Sequence, residues 1–426
     1  MCDCHCRRGE TLSAWPVGEG TLALLLGGLY RGIFLMPSCK SVSDRSLRKE
    51  NDGVYHRDLG VQMPSTRTGN SKMTLWVGTR KGGFAFRSND RKRWDIEGPF
   101  FRGCEVNHLV QDPRNPKLTY AAVSSWWFGP HLERSQNGGK TWELSEAGLE
   151  LKRVPETSLK RIWYIQPGHA EEPGVVWAGG EPAALFRSDD WGRSWQEVAS
   201  LTAHPTRSQW SPAMGSLSLH SIQCPVKSCV IAGISVAGAF RSYDSGESWE
   251  PFNGNVRADF QPKKSLTVGQ CVHKLLSHPA EPEMLYQQNH CGVYYARWDA
   301  SRWTDITRGL PTRFGFGLAL PAAEKETLFT VPMDSPEFRC NPDGKFRVAC
   351  SRNRGKNWKL LTKGLPQKHA HLTVFRDAMC ADSLSPAGVY VGTESGTLFY
   401  SRDSGKRWQV LAEYLPSIYS VTASVH

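Results

Sequence analysis

Three sets of side chains in this sequence have the chemistry to act on a ligand. The first is acidic: Glu181, Asp334 and Glu394, any two of which, one protonated and one ionised, would serve as acid and base across a glycosidic bond. The second is histidine: His108, His220, His273 and His371, joined by His290, whose neutral imidazoles could touch a ligand or hold iron, copper or zinc. The third set binds. Arg80, Arg161, Arg257 and Arg313 offer planar donors suited to a carboxylate, and Trp126, Trp127 and Trp163 offer faces on which a sugar ring can stack. Each set also has a plainer structural reading. A loop carboxylate can be held by a neighbouring Arg, a His can bond a neighbouring backbone, and Trp126 and Trp127 can cover the core edge beside Pro130. These residues identify no cofactor, and no metal ligand set is assigned from them.

Side chains so widely scattered can meet only if repeated elements carry them to one place. A repeat is present. The pattern Ser-x-Asp-x-Gly-x-x-Trp occurs as "SDDWGRSW" from Ser188, "SYDSGESW" from Ser242 and "SRDSGKRW" from Ser401, with Asn for Asp in "SQNGGKTW" from Ser135 and "SRNRGKNW" from Ser351. A shortened copy, "SNDRKRW", starts at Ser88, and "ARWDASRW" from Ala296 keeps only the final Trp303. Copies lie roughly 45 to 55 residues apart, a period that signals solenoids, propellers or arrays. Asp or Asn bonding its own backbone before a Gly is turn chemistry, so each octet reads as a hairpin loop closed by Ser and underlain by a buried Trp.

A second periodic signal precedes each octet: a strand opening with His or an aromatic, a Pro-containing turn, and an apolar strand, as in "VNHLVQDPRNPKLTYAAVSS" and "CVHKLLSHPAEPEMLYQQNH". Adding the octet hairpin gives four strands per unit, the blade of a propeller. Six such units leave N-terminal strands without an inner partner and "SIYSVTASV" at the C-terminus without outer ones; pairing them closes a seventh blade and leaves no exposed ring edge. The expected architecture is all-β, a single seven-bladed β-propeller over residues 73–426.

Residues 1–72 carry no repeat. They hold "MCDCHC" and the interrupted apolar run "TLALLLGGLYRGIFLM", too broken to span a bilayer and without an export cleavage site, and read as a disordered or over-extended leader before Met73. Cys2, Cys4 and Cys6 are spaced more closely than structural zinc ligands usually are. Without export, the protein is expected in the cytoplasm with Cys271 and Cys291 reduced. The net charge of +11 is dispersed, and no basic-aromatic interleaving is visible, so no nucleic-acid partner is expected.

The octets resemble Asp-box, or bacterial neuraminidase (BNR), repeats, and residues 73–426 resemble bacterial BNR-repeat propellers of the sialidase-like, YVTN-type superfamily. The resemblance implies a glycosyl hydrolase acting on a carbohydrate or other small polar ligand. It equally admits a non-catalytic binding or assembly propeller of the sortilin or photosystem II assembly factor type, with a protein partner. A third alternative is a metal-dependent enzyme using the axial His. The sialidase Arg-Ile-Pro motif is absent ahead of the first octet, and a single propeller lacks the two-propeller cleft of xyloglucanase-type enzymes.

Strand order then predicts the site. In a four-stranded meander the octets turn on one face, so second-to-third loops and blade-to-blade links emerge on the other, beside the start of each inner strand. All the candidates named above belong there by topology. The long polar-aromatic insertions "SPEFRCNPDGKFRV" and "GLPQKHAHLTV" are more elaborate than a bare repeat needs, and long loops on a rigid scaffold are where function usually sits.

Overall fold

The computed structural model describes residues 73–153, 157–210, 216–263 and 266–426. The expected leader, its cysteines included, lies outside the described residues. All described residues belong to one compact unit. The described residues are nearly all-β: seven four-stranded antiparallel sheets form a seven-bladed propeller.

Blade 1 is composite. Its inner strand, Ile418–Val425, comes from the C-terminus and pairs with Met73–Thr79, which continues through Gly82–Ser88 to Asp95–Phe100. The other inner strands are Glu105–Gln111, Arg161–Pro167, Leu219–Gln223, Val272–His278, Gly315–Ala319 and Met379–Ala381, opening blades 2 to 7 in chain order. Second strands such as Val176–Glu181 and Val230–Ile234 are almost continuously apolar and buried, because neighbouring blades cover both their faces.

The octets sit at the third-to-fourth turn of each blade. In "SYDSGESW", Gly246 donates its N–H to Ser242 Oγ at 2.8 Å, and Asp244 Oδ1 accepts from Ser242 Oγ at 2.7 Å and from the Ser248 N–H at 2.9 Å. Two consecutive residues adopt the left-handed region: Ser245 and Gly246 at φ 59° and 93°, Ser404 and Gly405 at 55° and 82°. Glycine is required at the second of these for space as well. A Cβ on Gly405 would stand 2.5 Å from Leu361 Cδ1. Where the Ser is lost, in "ARWDASRW", Trp303 remains buried and bonds the Phe252 carbonyl at 2.8 Å, so the tryptophan anchor outlasts the rest of the turn.

One feature of the ladders positions the site. Six of the seven inner strands carry a β-bulge near their first residues, leaving Asn107, Trp163, His220, His273, Phe316 or Gly317, and Tyr419 as the extra residues. A bulge bends the strand and re-aims a side chain, and repeated around the ring it sets a layer of non-alternating side chains about the axis.

Candidate functional site

Below the bulge layer the channel is plugged. Lys274 Nζ bonds Asp377 Oδ1, both side chains nearly fully buried, and the ammonium lies 4.4 Å from the Tyr164 ring centroid. Burial alone would drive Lys274 toward neutrality; the Asp377 carboxylate, with hydrogen bonding to Asp377 and Tyr164, outweighs it and holds the ammonium protonated. His108 packs on Tyr164 at 4.4 Å and accepts a 3.4 Å bond from the Ile165 N–H of the next blade. Behind this layer a cavity of about 190 Å³, lined by His108, Lys274, Asp377 and the ends of several inner strands, opens away from the predicted mouth.

On the mouth side, Trp163 donates its indole N–H to Glu181 Oε2 at 2.9 Å. Glu181 in turn bears on Arg376, whose guanidinium lies 4.8 Å from the Phe316 ring centroid, with Arg339 at 5.9 Å from the same ring. Burial lowers the Arg376 pKa, and its Nε finds no hydrogen-bond partner in the protein. Phe316 also packs against His273 at 4.6 Å and Phe314 at 5.1 Å. His273 donates Nδ1–H to the Gly315 carbonyl at 2.7 Å, again across a blade boundary. His220, at the equivalent bulge of the preceding blade, is 1% exposed, and neither ring nitrogen has a partner. Burial, then the nearby charges of Arg376 and Lys274, hold its pKa well below the ordinary value, so it is a neutral imidazole.

The remaining expected residues spread around the rim. Arg161 pairs with Glu105 at 2.7 Å and lies 4.8 Å from the Trp163 ring centroid. Arg80 and Glu394 are exposed, and both bear electrostatically on Tyr419. Asp334 is exposed, its backbone N–H bonded to the Cys340 carbonyl at 2.8 Å. Arg257 and Arg313 are exposed and engaged with Asp259 at 2.8 Å and Asp305 at 3.4 Å, so the four arginines form no shared cluster in these contacts. His371 is exposed beside Phe338, outside the contact set of His220 and His273. Trp126 and Trp127 are 94% and 84% exposed at a hairpin tip with Phe128, which removes the core-covering alternative. His290 lies against His273 at 5.5 Å and between Phe260 and Phe314.

Sequence reasoning missed Arg376, Arg339, Lys274 and Asp377. For three of them the signal was the two long insertions: Arg339 lies in "SPEFRCNPDGKFRV", and Arg376 and Asp377 follow "GLPQKHAHLTV" after Phe375, whereas Lys274 sits within the strand Val272–His278 and carried no such signal. Cys271 and Cys291 are free thiols.

No protein-family profile and no curated protein matches the chain. Among solved structures it is similar to an ancestral GH74 enzyme, at 15% identity and TM-score 0.51, over 80% of this chain and 40% of that one. It is also similar to the GH74 enzyme of Niastella koreensis, at 14% identity and TM-score 0.53, over 80% of this chain and 52% of that one. YCF48 bound to D1 peptide follows at 14% identity and TM-score 0.45, over 72% of this chain and 85% of that one, too loose a superposition to support inference. The chain thus spans about half or less of the GH74 proteins it matches, and at these identities the likeness is one of propeller fold.

Proposed function

We propose that this propeller is a glycosyl hydrolase whose axial mouth takes a carbohydrate bearing an anionic group. One observation carries the reading: a carboxylate, Glu181, held by Trp163 and bearing on a half-buried guanidinium, Arg376, that lies against the Phe316 ring. Arg376 and Arg339 suit a sugar carboxylate, because planar donors match it and the low-dielectric wall strengthens the pairing. Phe316 and Trp163 supply apolar faces for the ring. Glu181 is the acid or base, with Asp334 and Glu394, on the corresponding loops of blades 6 and 7, as the candidate partner carboxylates.

The test is a panel of neutral and uronic or sialic glycosides incubated with the full chain. Glu181→Gln is expected to lower kcat by about 100-fold or more while leaving substrate binding intact. Arg376→Met should raise KM for anionic substrates and spare neutral ones. Equal loss on both kinds would remove the anionic specificity, and unaltered turnover in Glu181→Gln would remove its role.

A second reading, a binding or assembly propeller with a protein partner, is favoured by the exposed Trp126-Trp127-Phe128 tip. It predicts no glycoside turnover at all and a partner lost on Trp126→Ala with Trp127→Ala. Both readings take the octets as Asp-box repeats, the protein as cytoplasmic, and Met73 as the natural start after a leader; mass measurement of the native N-terminus checks the last. Among the described residues, no helix is long and apolar enough to cross a membrane.

A further inference from the structure

The hairpin of blade 5 holds a group of side chains that the glycoside reading does not use. In its ladder Val272 faces Asn289, so Cys271 and His290 are the next cross-strand neighbours, tied by the His290 N–H to the Cys271 carbonyl at 2.9 Å. His273 stands two residues beyond Cys271, at the bulge. The potential ligand atoms of Cys271, His273 and His290 all lie within 4.8 Å of one another. Cys271 and His273 are buried, and His290 is half-buried toward the mouth.

Three further observations turn proximity into a site. His273 gives its Nδ1 proton to the Gly315 carbonyl, which fixes the tautomer and leaves Nε2 as a free lone pair, the usual outer-shell arrangement of a metal-binding imidazole. The rings of Phe314 and Phe316 pack against His273, and Phe260 and Phe314 against His290, so both imidazoles are held in orientation. His220, on the adjoining inner strand, is buried with two unpartnered ring nitrogens, a polar group that the protein alone does not satisfy. Cys291, next in sequence to His290, is otherwise engaged by the Asp259 N–H at 3.3 Å and is not a member of the group.

We propose that Cys271, His273 and His290 bind a d10 transition ion, Zn2+ or Cu+, with an open position toward the mouth beside His220. Thiolate and imidazole are the donors such borderline and soft ions select, and d10 ions impose no geometry that three ligands would violate. Binding replaces the Cys271 S–H bond with a sulfur–metal bond and releases one proton to solvent. Closing the group to tetrahedral spacing asks for a contraction of about 1 Å, given ligand bonds of about 2.0 to 2.3 Å. Arg376 and Arg339 against Phe316 make the surroundings positive, which favours the neutral Cu+–thiolate unit over the Zn2+ one. This inference is independent of the hydrolase reading and survives its failure.

The test uses the full chain with Cys2, Cys4 and Cys6 changed to Ser, so that the N-terminal thiols cannot bind the probe. Apoprotein is titrated with Zn2+, with Cu+ under a reductant against a chromophoric chelator, and with Co2+ as a spectroscopic stand-in for Zn2+. One equivalent of ion per chain is expected, with a sulfur-to-cobalt charge-transfer band that Cys271→Ser abolishes. His290→Ala, at a half-buried position, should weaken binding by about 100-fold or more without unfolding the chain, and serves if Cys271→Ser does not fold. Cys340→Ser should change nothing. Tighter retention of Cu+ than of Zn2+ supports the charge argument. Absence of a stoichiometric ion in both arms, or a cobalt band indifferent to Cys271→Ser and His290→Ala, overturns the proposal.

Discussion

At the scale of residues, the axis is governed by how buried polar groups are satisfied. Lys274 and Asp377 come from blades 5 and 7 and cross the channel to meet. A buried ion pair is weak evidence of stability in itself, yet removing one partner strands a charge in a low-dielectric interior. Asp377→Asn is therefore expected to cost about 3–5 kcal/mol in chemical denaturation, whereas replacing both residues by well-packed apolar ones should cost much less. A small loss in the single variant would mean that water reaches Lys274 from the adjoining cavity. Two of the axial histidines, His108 and His273, each bond the backbone of the following blade through Nδ1, which leaves Nε2 of His273 free for other use. His220 makes no such bond and His371 is exposed beside Phe338, so the blade-to-blade explanation accounts for only part of the set.

At the scale of elements, the third strand of blade 2, Gly129–Ser135, links the exposed aromatic tip to an octet turn. Glu133 on that strand is partly buried, and burial raises its pKa from 4.5 to about 7. The folded state consequently holds a proton that the unfolded chain has released between these values. By linkage, stability is fullest below pH 4.5 from this group and declines as pH rises to about 7. Glu133→Gln should flatten that decline, raising stability at pH 8 by about 1–2 kcal/mol after allowance for solvent at the site, with little effect at pH 4. Melting curves across pH provide the check; an unchanged slope would mean that Glu133 is charged in the folded protein. The octets behave oppositely. Hydrogen bonds from the Ser248 hydroxyl and N–H hold Asp244 at about 2, so those turns keep their acceptor until strongly acidic pH.

At the scale of the propeller, closure rests on a single strand. Ile418–Val425 pairs with Met73–Thr79 along its length and packs between blades 2 and 7. Ending the chain after Ser417 would leave blade 1 without an inner strand and expose Leu75 and Val77, so loss of cooperative unfolding is expected in calorimetry. Retention of a single sharp transition would show that six complete blades stabilise the ring unaided. The sequence by itself determined the blade count, the octet turns and this composite closure, because each rests on local signals repeated at a regular period. Strand order alone also assigned Glu181 to a second-to-third loop and Trp163, His220 and His273 to the starts of inner strands. What only the tertiary structure decided is which side chains meet. Bulges displace the inner strands from simple alternation, so facing cannot be counted along the chain, and Arg376 lies in the link that leads into the last inner strand, outside the repeated pattern of the octets. The axis gathers residues from several blades, and such non-local convergence depends on backbone paths that no single repeat encodes.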